Sequence, residues 1–202
     1  MKSIVIISII ILIFSFFQVY IAMAGNKTET QTYRLVQVDE KFEIRYYPVA
    51  TLAEVSLQSN SYKELGNKGF RKLAGFIFGG NNENKSISMT SPVHMQMGDS
   101  AGTMAFVLPK SYNKENLPKP NDSTIVIKTS KAEYVAAIAF GGFANTKKIN
   151  AHIAKLKQIL QDKNISSKGK FRYLGYNPPY QLFGRKNEII VTIDYIEKNE
   201  LK

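Results

Sequence analysis

Two histidines, six methionines and no cysteine are the groups in this 202-residue chain from which a metal or nucleophilic centre would have to be built. Without cysteine there is no disulfide, thiolate nucleophile, Fe–S cluster or thioether-linked cofactor. His94 lies in Met89-Thr90-Ser91-Pro92-Val93-His94-Met95-Gln96-Met97. Strand alternation puts Met89, Val93, Met95 and Met97 on one face and Thr90, His94 and Gln96 on the other, with the register across Pro92 left open. Such a segment either fills a core with thioethers and leaves a solvated histidine, or offers imidazole or thioether to iron. His94 is therefore the candidate metal ligand. His152 sits beside Ile153 between apolar heptad positions, where a histidine at the core boundary is expected. Glu43, Glu54, Glu64 and Glu188 are dispersed, and their spacing defines no acid–base pair. No Gly-x-Ser-x-Gly elbow, phosphate loop or His-Glu-x-x-His occurs, so binding is expected and catalysis is not.

The elements that must position these groups repeat. Phe42–Tyr47 and Val49–Leu57 read as strands. Asn60 or Ser61 caps a helix running to about Phe78, with Leu65, Phe70, Leu73, Phe76 and Ile77 facing a core. Strands follow near Ile87–Met97 and Thr103–Leu108. Beyond a linker holding Pro118 and Pro120 the order recurs: strands at Thr124–Thr129 and Tyr134–Phe140, a helix from Asn145 to Lys163, and strands near Phe171–Tyr176 and Ile189–Ile196. The expected fold is α+β, two strand-strand-helix-strand-strand halves paired into one domain, with a cleft at their junction.

Lys2, the apolar run from Ile4 to Phe17, and Ala22-Met23-Ala24 form a secretory signal pattern. An uncleaved anchor formed by residues 4–24 is the competing reading. Cleavage leaves 178 residues: a flexible lead-in at 25–32, a domain at 33–197 and a tail at 198–202. Net charge is +11, and ten basic residues against the single acid Asp162 lie between Lys147 and Lys186. That surface favours anionic partners, including peripheral contact with an anionic membrane. Nucleic acid is not expected, since no helix-turn-helix, RNP or zinc pattern is present. The protein is expected to be an exported monomer, periplasmic or secreted.

Together the segments resemble the SOUL haem-binding family. The likeness runs through Phe42-Glu43-Ile44-Arg45-Tyr46-Tyr47-Pro48, Gly69-Phe70-Arg71-Lys72-Leu73-Ala74-Gly75-Phe76-Ile77-Phe78-Gly79-Gly80-Asn81 and Ile87-Ser88-Met89-Thr90-Ser91-Pro92-Val93, and ends with Gly175-Tyr176-Asn177-Pro178-Pro179 and Arg185-Lys186-Asn187-Glu188-Ile189. The resemblance implies a distorted barrel-like sheet flanked by two long helices, and non-covalent binding of haem or another tetrapyrrole in an apolar cleft beside the first helix. It puts Leu73, Ala74, Phe76 and Ile77, with Tyr176, Tyr180 and Phe183 of the late loop, in the cleft wall. The family's propionate-contacting positions fall on Asn67, Gly75 and Gln181, all uncharged; charged substitutes could come from Lys68, Arg71 or Lys72, of which Arg71 is the expected cationic contact. The architecture also resembles bacterial effector-binding domains, so a carrier of another amphipathic anionic molecule is the alternative expectation.

Processing after Ala24 predicts a mature protein that begins at Gly25 and is recovered in a soluble extracytoplasmic fraction. N-terminal sequencing of the fractionated protein checks this, and full-length chain recovered only from membranes would establish the anchor instead.

Overall fold

Segments rich in β-branched and aromatic residues pair into one large sheet, and the amphipathic stretches become helices laid against it. The computed structural model describes residues 2–25, 28–59 and 61–197. After helix α1 (Lys2–Gly25) come β1 (Glu29–Thr30), β2 (Arg34–Val38), β3 (Glu43–Tyr47) and β4 (Thr51–Leu57). The short helix α2 (Tyr62–Glu64) and helix α3 (Phe70–Ile77) precede β5 (Thr90–Ser91), β6 (Val93–Met97) and β7 (Gly102–Val107). The second half contributes β8 (Ile125–Thr129), β9 (Glu133–Gly141), helix α4 (Thr146–Asp162), β10 (Ser167–Gly175) and β11 (Lys186–Ile193).

Nine strands form an antiparallel sheet in the order β2-β3-β9-β11-β10-β6-β7-β4-β8, and β1 pairs separately with β5 in parallel. The sheet does not close into a barrel among the described residues, because β2 pairs only with β3 and β8 only with β4. Both edges carry a cation tied to a carboxylate, Arg34 to Glu197 and Lys128 to Glu54, which discourages further pairing. The expected first long helix is also interrupted. Between α2 and α3 lies a π-helical turn, Leu65–Gly69. Gly69 sits where an added Cβ would come within 3.1 Å of Met104 Cβ, so the absence of a side chain lets this turn approach β7. Ser61 caps α2 by accepting from the Glu64 amide. Asn60, the other expected cap, lies outside the described residues, as do 26, 27 and the tail 198–202.

Register gives the sheet two distinct faces. Val55, Met104, Met95, Tyr173, Ile189 and Ile138 stand in one row across six strands and belong to the main core. Helices α3 and α4 cover this face, burying Leu73, Phe76 and Ile77 from the first and Ile149, Leu156, Ile159 and Leu160 from the second. The adjacent row, Glu54, Ala105, His94, Leu174, Glu188 and Ala139, projects to the opposite face.

On that opposite face Arg45 and Glu188 form a bidentate ion pair, Nη1–Oε2 2.8 Å and Nη2–Oε1 2.9 Å, with both side chains at most 3% exposed. The Tyr176 hydroxyl donates to Glu188 at 2.6 Å, and the Arg45 guanidinium lies 4.2 Å from the Tyr33 ring centroid. Burial opposes the charge on Glu188, but the Arg45 hydrogen bonds and charge outweigh it and hold the carboxyl below its usual range.

Because Leu73 is fully buried, Leu73→Ala should destabilise the domain by about 2–5 kcal/mol. Urea unfolding monitored by circular dichroism measures this, and a loss below about 1 kcal/mol would mean that the site is not packed as described.

Candidate functional site

The two helices leave a strip of the core face between them. Helix α3 and the π turn rest on β4 and β7, whereas α4 rests on β9, β11 and β10. Strand β6 and the adjoining edge of β10 run between these footprints. Along the strip Met95 and Tyr173 are buried, and the apolar residues around them are only partly buried: Met89, Val93 and Met97 from the β6 region, Phe171 from β10 and Tyr62 from α2. Tyr173 forms part of the floor, its ring edge-on to Tyr62 at 5.4 Å, and its hydroxyl donates to Asn187 Oδ1 at 2.6 Å. Gly175 continues the floor, where an added Cβ would lie 3.1 Å from the Tyr173 hydroxyl.

On the α4 side, His152 of α4 stacks its ring on Phe140 of β9 at 4.1 Å with a 17° interplanar angle. Asn145 starts this helix, its side chain accepting from the Lys148 amide at 2.9 Å. Lys148 and Lys155 are exposed on either side of His152 in sequence. Beyond Phe140, an exposed apolar surface is formed by Phe143, Tyr180, Leu182 and Phe183. Arg185 ties these loops together, its guanidinium 4.4 Å from the Phe143 ring and Nη1 donating to the Pro178 and Gln181 carbonyls. This is an amphipathic surface with exposed cations near an apolar strip, suited to a flat apolar molecule bearing anionic groups.

The structure divides the site residues named from sequence. Leu73, Phe76 and Ile77 are at most 1% exposed, so they back the wall and do not line it. The amphipathic stripe of α3 is used up in covering the sheet. Ala74 is half-buried and Arg71 exposed. Tyr180 and Phe183 are exposed on the late loop, while Tyr176 packs on the opposite face with Tyr47, Leu174 and Ile190. Gln181 is buried, its amide donating to the Phe183 carbonyl.

His94 is not solvated. Its ring is buried on the opposite face, and Nε2 lies 2.8 Å from Gln31 Oε1. Burial, assisted by the positive charge of Arg172 and opposed by Glu188, pushes the imidazole down to about 3. Gln31 also lines a cavity of about 280 Å³ beside β1, whose walls include Glu29, Thr30, Thr51, Thr90 and Lys110. That cavity, whose walls also include Val49, Ala50, Val107, Leu108 and Tyr112, is slightly smaller than the about 300–1,000 Å³ pockets typical of larger organic ligands. His152, expected at the core boundary, is half-buried there, and its ring stacks on Phe140, which lies 6.4 Å from the Tyr173 ring of the floor.

Comparison with known proteins agrees with this architecture. A family model described as SOUL heme-binding protein matches residues 28–192. Heme-binding protein 2 of Mus musculus is 29% identical over 167 residues, covering 79% of each chain, and the Homo sapiens protein of that name gives the same figures. Heme-binding protein 1 of Xenopus laevis is 27% identical, with coverage of 77% of this chain and 87% of its own. Among solved structures, the C-terminal domain of EcmrR superposes with a TM-score of 0.59 at 11% identity, over 77% of this chain and 98% of that one. A hydrolase from Listeria innocua gives 0.55 at 10% identity, over 78% and 94%. These two share the fold.

His94 makes a pH prediction. Its folded pKa is depressed below the unfolded value of about 6.5. Its contribution is therefore fully present above about pH 6.5 and declines as pH falls towards 3, by up to about 1.4 kcal/mol per pH unit. Denaturation between about pH 7 and pH 5, where most carboxylates stay charged, should show His94→Gln with a flatter stability profile than wild type. Parallel profiles would place the ring in water.

Proposed function

The chain belongs to the SOUL heme-binding protein family, and on that premise we propose that it binds haem or a related tetrapyrrole non-covalently in the groove between α3 and α4. The observation carrying this reading is the run of half-buried Met89, Val93, Met97, Phe171 and Tyr62, which flanks the buried Met95 and Tyr173 between the footprints of the two helices. Strands β3, β4, β6 and β7 with α3, and β8 to β11 with α4, are read as two pseudo-symmetric halves that adjoin at β6 and β10 and exchange β3 and β8.

The residues fit the group. A porphyrin needs an apolar slot for its ring and cations at the rim for its propionates. Burying ~300 Å² of ring at about 25 cal/mol per Å² contributes on the order of 7 kcal/mol before association costs. An exposed ion pair from Lys148, Lys155 or Arg71 to a propionate adds only about 0.2–1 kcal/mol. Haem supplies iron chemistry when bound, and the chain supplies an apolar slot, rim charge and exclusion of water. The protein acts as a binding protein, not as an enzyme. Its export by the N-terminal segment, with removal of residues 1–24, is part of the same proposal.

Haemin titration of the mature protein, followed in the Soret band, tests the reading. Raising salt to ~0.5 M should weaken binding by less than about tenfold, since screening acts on the exposed pairs. Phe171→Asp should cost more than that, whereas Val126→Asp, at an exposed position on the edge strand, should have little effect. A steep salt dependence with a tolerant Phe171 would move the function to polyanion or anionic-membrane binding.

A further inference from the structure

The hydrogen bonding of the two histidines separates them chemically. His152 Nδ1 lies 2.7 Å from the backbone carbonyl of Lys148. A carbonyl oxygen only accepts, so Nδ1 carries the proton, and in the neutral ring the lone pair is on Nε2. Among the described residues Nε2 has no hydrogen-bond partner, and the ring is half-buried at the groove wall. Its orientation is fixed twice, by the carbonyl and by the parallel stack on Phe140. An Nδ1–H bond to a backbone carbonyl sets the tautomer and raises the basicity of a metal-binding imidazole. His94 has the reverse arrangement: its Nε2 is occupied by Gln31 and its ring is enclosed on the other side of the sheet.

We propose that His152 is the axial ligand of the bound haem iron, donating the Nε2 lone pair, with Phe140 and the Lys148 carbonyl as positioning groups. The step is simple coordination: an Nε2–Fe bond forms, a water or hydroxide ligand of free haemin leaves, and no redox change is involved. This assignment rests on the tetrapyrrole reading of the groove, and it moves the metal role from the strand histidine to the helix histidine. Phe140 contributes by limiting rotation of the ring, so that the lone pair is presented in one direction.

The experiment compares ferric haemin with metal-free protoporphyrin IX on mature wild type, His152→Ala, His152→Gln and His94→Ala. Electron paramagnetic resonance and the Soret and visible bands report imidazole ligation, and porphyrin fluorescence reports occupancy of the groove. In both His152 variants the imidazole–iron signature should vanish and haemin affinity should fall by about tenfold or more. Protoporphyrin IX affinity should fall several-fold less than haemin affinity in the same variants, since loss of the wall contact affects both ligands and loss of the iron bond only haemin. His94→Ala should retain the signature, and added imidazole should restore it in His152→Ala. Retention of the wild-type haemin spectrum in both His152 variants would overturn the assignment while leaving the groove reading intact. A wild type that binds neither porphyrin would overturn both.

Discussion

The ion pair of Arg45 with Glu188 links β3 to β11 across the intervening strand β9, through two hydrogen bonds closed off from solvent. Such a pair adds little net stability compared with well-packed apolar groups, but separating its members strands a buried charge at a cost of about 3–5 kcal/mol. A one-residue slip of either strand would turn its charged side chain to the other face, into the main core. Register is therefore enforced at the centre of the sheet, and the rows that face the helices follow from it. Tyr33 and Tyr47 contact the guanidinium, while the Tyr176 hydroxyl and the Lys186 ammonium contact the carboxylate. Burial raises the Tyr176 hydroxyl well above its ordinary range and pushes that of Tyr47 up to about 12, so both remain neutral, Tyr176 donating to Glu188 and Tyr47 accepting from Arg45.

Enforced register divides work between the faces. The polar face pairs its charged and polar groups with one another: Arg45 with Glu188, His94 with Gln31, and Arg172 through Nη1 with Glu133, while Arg172 Nη2 is buried without a partner. The core face is apolar, and two helices cannot cover nine strands completely. Their spacing leaves the strip along β6 and β10, and the residues there are partly exposed for that geometric reason. A binding groove thus arises from incomplete coverage and requires no separate cavity.

Much of this was readable from sequence, and the failures have physical causes. Period-two alternation placed Met95 inward and His94 outward, and the 3.6-residue period found both helices with Leu73 and Leu156 on their buried sides. Periodicity identifies an apolar face but does not reveal what covers it. Leu73, Phe76 and Ile77 were therefore read as a ligand wall when they contact protein. His94 was read as solvated because Gln31, 63 residues earlier, gives no local sign of closing over it. The link between Arg45 and Glu188 spans 143 residues and depends wholly on strand order. The π turn at Leu65–Gly69 was hidden because Gly69 serves a close approach to Met104 of β7 that only the folded sheet creates.

The cap of α4 has a consequence for time as well as geometry. Asn145 holds the Lys148 amide, and the Lys148 carbonyl in turn holds His152. Helix ends fray on fast timescales, and a side-chain cap resists that fraying by about 1 kcal/mol. With His152 on the iron, each opening of the first turn would loosen the imidazole while the ring of the ligand remained clamped by apolar contacts. Residence time would then depend on a single asparagine that never touches the cofactor. Occupancy at equilibrium would remain dominated by the buried porphyrin surface, so the lifetime of the complex and its strength are set by different parts of the chain.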